Sequence, residues 1–188
     1  IIGAPNAGKS TLLNQLVGSK VAIVTHKVQT TRARIRGIAM EGDTQIVFVD
    51  TPGIFKPKRR LDKAMVEAAW GGAGDADLII LMVDAEHERA EDLERILEGL
   101  KEQGRKAILV LNKVDTANRE KLLKLAQRLD ATGLFTRTFM ISALTGDGVK
   151  DLRAYIAGEM PEGPWHYPED QAADVPLRSL AAEVTREK

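Results

Sequence analysis

Gly3-Ala4-Pro5-Asn6-Ala7-Gly8-Lys9-Ser10, almost at the first residue, matches G-x-x-x-x-G-K-[ST], the spacing of a loop that cradles phosphate groups. A polyphosphate is a dense anion, and several backbone N–H groups must point at it together. Glycines let the main chain turn tightly and approach without a Cβ in the way. Lys9 adds a point charge near the β- and γ-phosphates. Ser10 offers a hydroxyl to Mg²⁺. The next residues, Thr11-Leu12-Leu13-Asn14-Gln15-Leu16, read as a helix over 9–17 with Gly18 as its stop. The positive end of that helix faces the anion. The expected phosphate-contacting set is Ala4, Pro5, Asn6, Ala7, Gly8, Lys9, Ser10 and Thr11.

Ile1-Ile2 reads as the tail of a buried strand, so the domain is expected to have a truncated first strand. Residues 19–34 are polar, threonine-rich and basic without a clean period, the mark of a long functional loop. Residues 35–40 and 45–50 read as strands joined by Glu41-Gly42-Asp43, a hairpin. The second is continuously apolar at Ile46-Val47-Phe48-Val49 and is expected to be central. A basic loop follows, then a helix over 61–70 closed by Gly71-Gly72. Beyond it, strands over 78–84, 107–111 and 138–141 alternate with helices over 88–103, 119–130 and 149–159. That alternation predicts an α/β fold: three layers around a mostly parallel sheet with one antiparallel strand. In such sheets ligands bind at the carboxyl ends of the strands, and each unusual short motif falls at one.

Composition narrows the classes. Among 188 residues, 27 Lys and Arg balance 27 Asp and Glu, so net charge makes no case for a surface wholly committed to nucleic acid. There is no cysteine, which excludes disulfides and thiolate ligands and is compatible with a cytosolic setting. No apolar run approaches the length of a membrane span. His26, His87 and His166 are scattered without metal-ligand spacing. Trp70 reads as a packing anchor. After Met160, the stretch 161–170 is proline-rich and irregular and reads as a linker. The expected division is a nucleotide-binding domain over 1–159, a linker over 160–175, and the start of a second domain over 176–188.

Three further motifs give the first loop its partners. Asp50-Thr51-Pro52-Gly53 ends the second hairpin strand: Asp50 can hold the Mg²⁺ hydration shell, and Gly53 can offer its N–H to a γ-phosphate. In Asn112-Lys113-Val114-Asp115, the Asp115 carboxylate can accept from both N1–H and the 2-amino group of guanine, donors that adenine lacks. The aliphatic stem of Lys113 can pack on the base plane. Ser142-Ala143-Leu144 is expected to present a backbone N–H to guanine O6.

These four motifs, in this order from Gly3 to Glu159, resemble the translation-factor-like G proteins. Together with Gln29-Thr30-Thr31-Arg32, Ile54 and the tail 165–170, they are similar to the Era family of bacterial GTPases. The resemblance implies GTP and GDP as ligands, Mg²⁺, hydrolysis to GDP and phosphate, and a part in 30S subunit assembly. It implies contact with 16S rRNA through a C-terminal KH domain whose RNA-clamping glycine loop is absent from this sequence. It further implies a cytoplasmic monomer with peripheral association at the inner membrane. Carried over residue by residue, Thr31 becomes the switch threonine that ligates Mg²⁺ with Ser10 and Asp50, with Thr30 as the alternative. The catalytic set is then Lys9, Thr31, Gly53 and Asn6. Ile54 stands where related enzymes carry a water-orienting glutamine, which a branched alkane cannot replace. Asn6 leaves two readings open: a K⁺ ligand that raises turnover, or a residue tolerated for its backbone conformation. Two other classes stay in view, a nucleotide-gated binding module and a P-loop kinase. Lys27, Arg32, Arg34, Arg36 and the cluster from Lys56 to Arg60 either meet RNA phosphates or are solvated loop charge.

Overall fold

The computed structural model describes residues 1–22, 24, 35–57 and 59–174. The Thr30 and Thr31 readings, and the start of a second domain over 176–188, lie outside those residues. The element order is β1 (Ile2–Gly3), α1 (Lys9–Val17), β2 (Ile35–Glu41), β3 (Thr44–Asp50), α2 (Arg60–Gly74) and β4 (Ile80–Asp84). It continues with α3 (Ala90–Glu102), β5 (Ala107–Asn112), α4 (Arg119–Asp130), β6 (Phe135–Ile141) and α5 (Val149–Glu159). Strands β1, β4, β5 and β6 form a parallel sheet in the order β1-β4-β5-β6. The antiparallel hairpin β2–β3 stands beside β1, where the Ile1 nitrogen donates to Val49 O at 2.7 Å and Thr51 Oγ1 donates to Ile1 O at 2.9 Å.

The apolar runs at β4 and β5 are continuous because both faces of the sheet are covered. Alternate side chains go to opposite layers. Ile80, Met82, Ile108 and Val110 pack with Leu12, Leu13 and Leu16 of α1 and with Val149, Leu152 and Ile156 of α5. Leu81, Val83, Leu109 and Leu111 pack with α2, α3 and α4 through Ala69, Ala73, Leu93, Ile96, Leu100, Leu122, Leu125 and Leu129. Trp70 is an anchor in this second layer: a Cβ on Gly99 of α3 would lie 2.3 Å from its ring, so the two helices approach there at van der Waals limits.

Several elements depart from the sequence expectation. Helix α2 does not stop at Gly71-Gly72 but runs to Gly74. Glycine disfavours helix by only about 1 kcal/mol per residue, and burial of Ala69 and Ala73 against the sheet holds the last turn. Strand β3 is not buried on both faces: Ile46, Phe48 and Asp50 are buried while Val47 and Val49 are half-buried. Strand β6 begins at Phe135, earlier than its apolar stretch, because Phe135 and exposed Arg137 pair with Ala107 and Ile108 of β5, with Thr136 at a register shift between them. Helix α3 starts at Ala90, which leaves Glu88 and Arg89 in the preceding loop.

The proline-rich stretch after Met160 has no helix or strand, yet it is no free tether. Trp165 Nε1 donates to Asp43 O at 3.0 Å. Gln45 Oε1 accepts the His166 and Tyr167 N–H groups at 2.9 and 3.0 Å, and Gln45 Nε2 donates to Tyr167 O at 2.8 Å. Ala173 bridges Gly37 in antiparallel fashion, and Ile38 N–H donates to Ala172 O at 2.8 Å. Arg36 and the Tyr167 hydroxyl both donate to Asp174 Oδ2, at 3.0 and 2.9 Å, and these contacts hold the Asp174 carboxyl below its ordinary range. The segment is a strap along the open edge of β2.

Leu109 lies at the middle of β5 with no exposure. Leu109→Ala is expected to lower unfolding free energy by about 2–5 kcal/mol. Urea denaturation checks this, with Leu123→Ala on the exposed face of α4 shifting stability by no more than about 0.5 kcal/mol.

Candidate nucleotide site

The chain leaves β1 into the glycine loop and enters α1 with the backbone turned left-handed at Asn6 (φ 64°) and Gly8 (φ 101°). Gly8 has a second constraint: a Cβ there would lie 2.3 Å from Asn112 Nδ2. Asn6 is exposed and occupies a conformation that asparagine tolerates better than most residues, a direct backbone reason for its presence. Lys9 is 7% exposed, and its ammonium donates to Gly3 O at 3.2 Å and Ala4 O at 3.0 Å. Burial pushes its pKa down, partly offset by the nearby Asp50 carboxylate. Ser10 Oγ donates to Asp50 Oδ2 at 2.6 Å, with Asp50 fully buried.

At the end of β3 the chain passes close to this loop. A Cβ on Gly53 would fall 2.8 Å from the Pro5 nitrogen, so only glycine allows that approach. Ile54 turns away from the cavity: its side chain is fully buried in the layer of α2, α3 and α4, and its N–H donates to Gly3 O at 3.0 Å. This residue therefore locks the end of β3 to the end of β1 and orients no water.

The second end of the site is built by β4, β5 and β6. Asn112 is 3% exposed and joins two loops: its Nδ2 donates to Ala7 O at 2.8 Å, and its Oδ1 accepts from Ala143 N–H at 2.9 Å. Its amide is thus committed to holding the phosphate loop and the Ser142-Ala143-Leu144 loop in register. Lys113 adopts φ 68°, and its ammonium donates to Asp84 Oδ2 at 2.5 Å. Asp84 Oδ1 in turn accepts the Glu86 and His87 N–H groups at 3.0 and 2.9 Å. Thr116 Oγ1 donates to Glu86 Oε2 at 2.8 Å, a second link between the β4–α3 and β5–α4 loops. Asp115 is exposed, on the wall of the cavity.

The expectation for Ser142-Ala143-Leu144 changes in detail. Ser142 N–H donates to Asp147 O at 3.0 Å, and Ala143 N–H is engaged by Asn112. Among the described residues, Leu144 carries the N–H of this triplet that has no acceptor, and its side chain is 77% exposed. One cavity of about 750 Å³ runs from Lys9, Ser10 and Gly53 to Lys113, Asp115 and Leu144. Its wall also includes Asp84, Glu86, His87, Arg89 and Thr116, which sequence reasoning did not select. Asp84 had a readable signal, a carboxylate closing an apolar strand at the sheet's carboxyl edge; the others are loop residues whose direction depends on the fold.

The arrangement defines a class: a three-layer P-loop domain of the G-protein type, with one cavity offering a cationic, oxygen-rich end and a carboxylate end. Comparison with known proteins agrees. Residues 1–113 match the profile of the 50S ribosome-binding GTPase family, and the chain belongs to that family. It is 65% identical over 188 residues to the GTPase Era of Rhizobium meliloti (strain 1021), covering 100% of this chain and 60% of that protein. It is 63% identical over its full length to the GTPase Era of Brucella suis biovar 1 (strain 1330), again spanning 60% of that relative. An Era crystal structure with MgGDPNP and nucleotides 1506–1542 of 16S ribosomal RNA superposes with a TM-score of 0.90 at 41% identity, over 99% of this chain and 64% of that one. A tyrosine-to-alanine point variant of Aquifex aeolicus Era bound to GDP·AlF4⁻ gives 0.88 at 39% identity, over 99% of this chain and 64% of that one. The chain thus spans about three fifths of the length of the curated relatives it matches.

Asn112→Ala removes one donor and one acceptor and leaves Ala7 O and Ala143 N–H buried without them. The expected cost is about 1–3 kcal/mol, read by chemical denaturation, with faster nucleotide dissociation in stopped-flow.

Proposed function

We propose that this chain is the nucleotide-binding and hydrolysing part of a GTP-driven switch protein acting in 30S ribosomal subunit assembly and 16S rRNA maturation. One observation supports the reading above the rest: a single cavity has Lys9 and Ser10 at one end, with buried Asp50 behind Ser10, and Asp115, beside the Asp84-anchored Lys113, at the other. The distance between them is bridged by Asn112, so a base and its phosphates are read by one rigid unit.

In this reading the Asp115 carboxylate accepts from guanine N1–H and the 2-amino group, and Leu144 N–H faces O6. The Lys113 stem lies along the base plane, held there by Asp84. The loop Ala4–Pro5–Asn6–Ala7–Gly8 and Thr11 enclose the phosphates, and Lys9 exchanges its two carbonyl contacts for phosphate oxygens. Ser10 Oγ and Asp50 Oδ2, two buried oxygens 2.6 Å apart, fit a hard divalent cation. Ser10 would ligate Mg²⁺ directly, Asp50 through its hydration shell, and Thr31 in the triphosphate state. The ion neutralises charge on the β- and γ-phosphates. Gly53 N–H serves the γ-phosphate. The P-loop kinase reading is the weaker one, because a kinase needs no guanine-selecting carboxylate.

With Ile54 buried, its side chain does not reach the cavity to position an attacking water. Slow intrinsic turnover follows, which also suits the second reading: a nucleotide-gated binding module that hydrolyses GTP only to reset. Asn6 is proposed as a K⁺ ligand at the phosphate end. The proposed organisation is 1–159 nucleotide domain, 160–175 linker and 176–188 the start of a KH domain. That domain carries contact with 16S rRNA and the 30S subunit. The protein is proposed to be a cytoplasmic monomer with peripheral association at the inner membrane; among the described residues no helix is long and apolar enough to cross a membrane.

Titration of GDP, GTP and ATP with Mg²⁺ tests the assignment. The native chain is expected to bind guanine nucleotides and not ATP. Asp115→Asn should lose GTP affinity by at least about 10³-fold, since paired polar groups become mismatched, and gain xanthosine triphosphate binding. Equal ATP binding, or an unaltered variant, removes the guanine reading. Turnover is expected to be faster in KCl than in NaCl at equal ionic strength; equal rates assign Asn6 to its backbone role alone.

A further inference from the structure

We propose that Lys56 and the start of α2, with Arg59, Arg60 and Lys63, form a docking surface for the phosphodiester backbone of RNA, separate from any C-terminal RNA-binding domain. The chain is neutral as a whole, yet residues 56–63 read Lys-Pro-Lys-Arg-Arg-Leu-Asp-Lys, five basic against one acidic. Lys56, Arg59, Arg60 and Lys63 are exposed, and among the described residues Lys56, Arg60 and Lys63 take part in no ion pair. The one acid in the stretch is engaged locally: Asp62 Oδ2 accepts the Arg59 N–H at 2.9 Å. Glu67, one turn beyond Lys63, makes no ion pair with it.

The placement is costly for the helix itself. Arg59 is the N-cap of α2 and Arg60 its first residue, with Lys63 at the end of the first turn. Cations there oppose the helix dipole, which favours acids at that end. A polyanion laid across this turn reverses the sign of the interaction. Leu61, 63% exposed, stands among these cations and offers an apolar face to an unstacked base or ribose. Helix α2 is also lightly seated: only Met65, Ala69 and Ala73 of its fifteen residues are buried, so its first turn stands clear of the core. Gly53, three residues before Lys56, lies against Pro5, so RNA held here sits beside the phosphate end of the cavity. Concentrated charge with a single apolar side chain suits RNA better than a protein groove, which would require a broader apolar face.

The proposal rests on the ribosomal RNA reading of the protein, and its test separates the two. The full-length protein is titrated with intact 16S rRNA at several salt concentrations, comparing native, R60S/K63S, R60K/K63R and K101S/K106S. Each phosphate contact contributes about 0.7 to the slope of log K against log salt for single-stranded RNA. R60S/K63S is expected to lower the slope by about 1.4 and to weaken binding several-fold, with GTP affinity retained. R60K/K63R and K101S/K106S are expected to keep the native slope. An unchanged slope in R60S/K63S overturns the docking surface while leaving the rRNA reading intact. Equal losses in K101S/K106S overturn it in favour of net charge. Loss of binding to phosphatidylglycerol vesicles by R60S/K63S with native RNA binding overturns it in favour of a lipid surface. A native protein that binds no 16S rRNA overturns both readings.

Discussion

Two buried hydrogen bonds from one side chain hold the site together. Asn112 donates to Ala7 O and accepts from Ala143 N–H, so the loops after β1, β5 and β6 move as one body. A Cβ at position 8 would collide with that same amide, which ties the glycine of the phosphate loop to the asparagine 104 residues later. Ligand recognition that spans a base and its phosphates requires such rigidity, since a shift of either end loses hydrogen bonds at the other. The residue acts by positioning: both functional atoms of its amide face protein.

Charge in the site is arranged in the same economical manner. Lys9 is buried, and desolvation weakens its hold on the proton, while Asp50 nearby works in the opposite direction. Asp50 also receives the Ser10 hydroxyl. At the other end Asp84 holds the Lys113 ammonium and two backbone N–H groups of its own loop. Lys9, Asp84 and Lys113 are thus each oriented by a neighbour, which lowers the entropy lost on binding.

The hairpin β2–β3 connects this centre to the rest of the chain. It touches β1 through Ile1, receives the strap along β2, and is tied to α5 by Arg153. That side chain pairs with Glu41 at 2.7 Å, donates to Leu16 O at 3.1 Å, and reaches Met40 O. Movement of β2 is therefore resisted on both sides, and the strap's proline-rich composition gave no sign of that role. Composition reports that a segment cannot build its own helix or strand; it says nothing of a borrowed edge.

Local sequence was sufficient for the phosphate loop, for α1, α4 and α5 with their bounds, and for the motifs at the strand ends. In those places backbone demands and the chemistry of a ligand leave few residue types available at each position. Glycine spacing, apolar period and a carboxylate at a strand end are all properties of short stretches. Other features were decided only by distant parts of the chain meeting. Helix α2 runs through two glycines because Ala69 and Ala73 find the sheet. Asn112 turns its amide to protein because Ala7 and Ala143 lie on either side. Asp84 becomes part of the site because β4 and β5 pair in register, Asp84 opposite Asn112. Ile54 is a core residue because the end of β3 meets Gly3. Each of these outcomes depends on partners dozens of residues apart, and no local pattern encodes which side of a residue its partner will occupy.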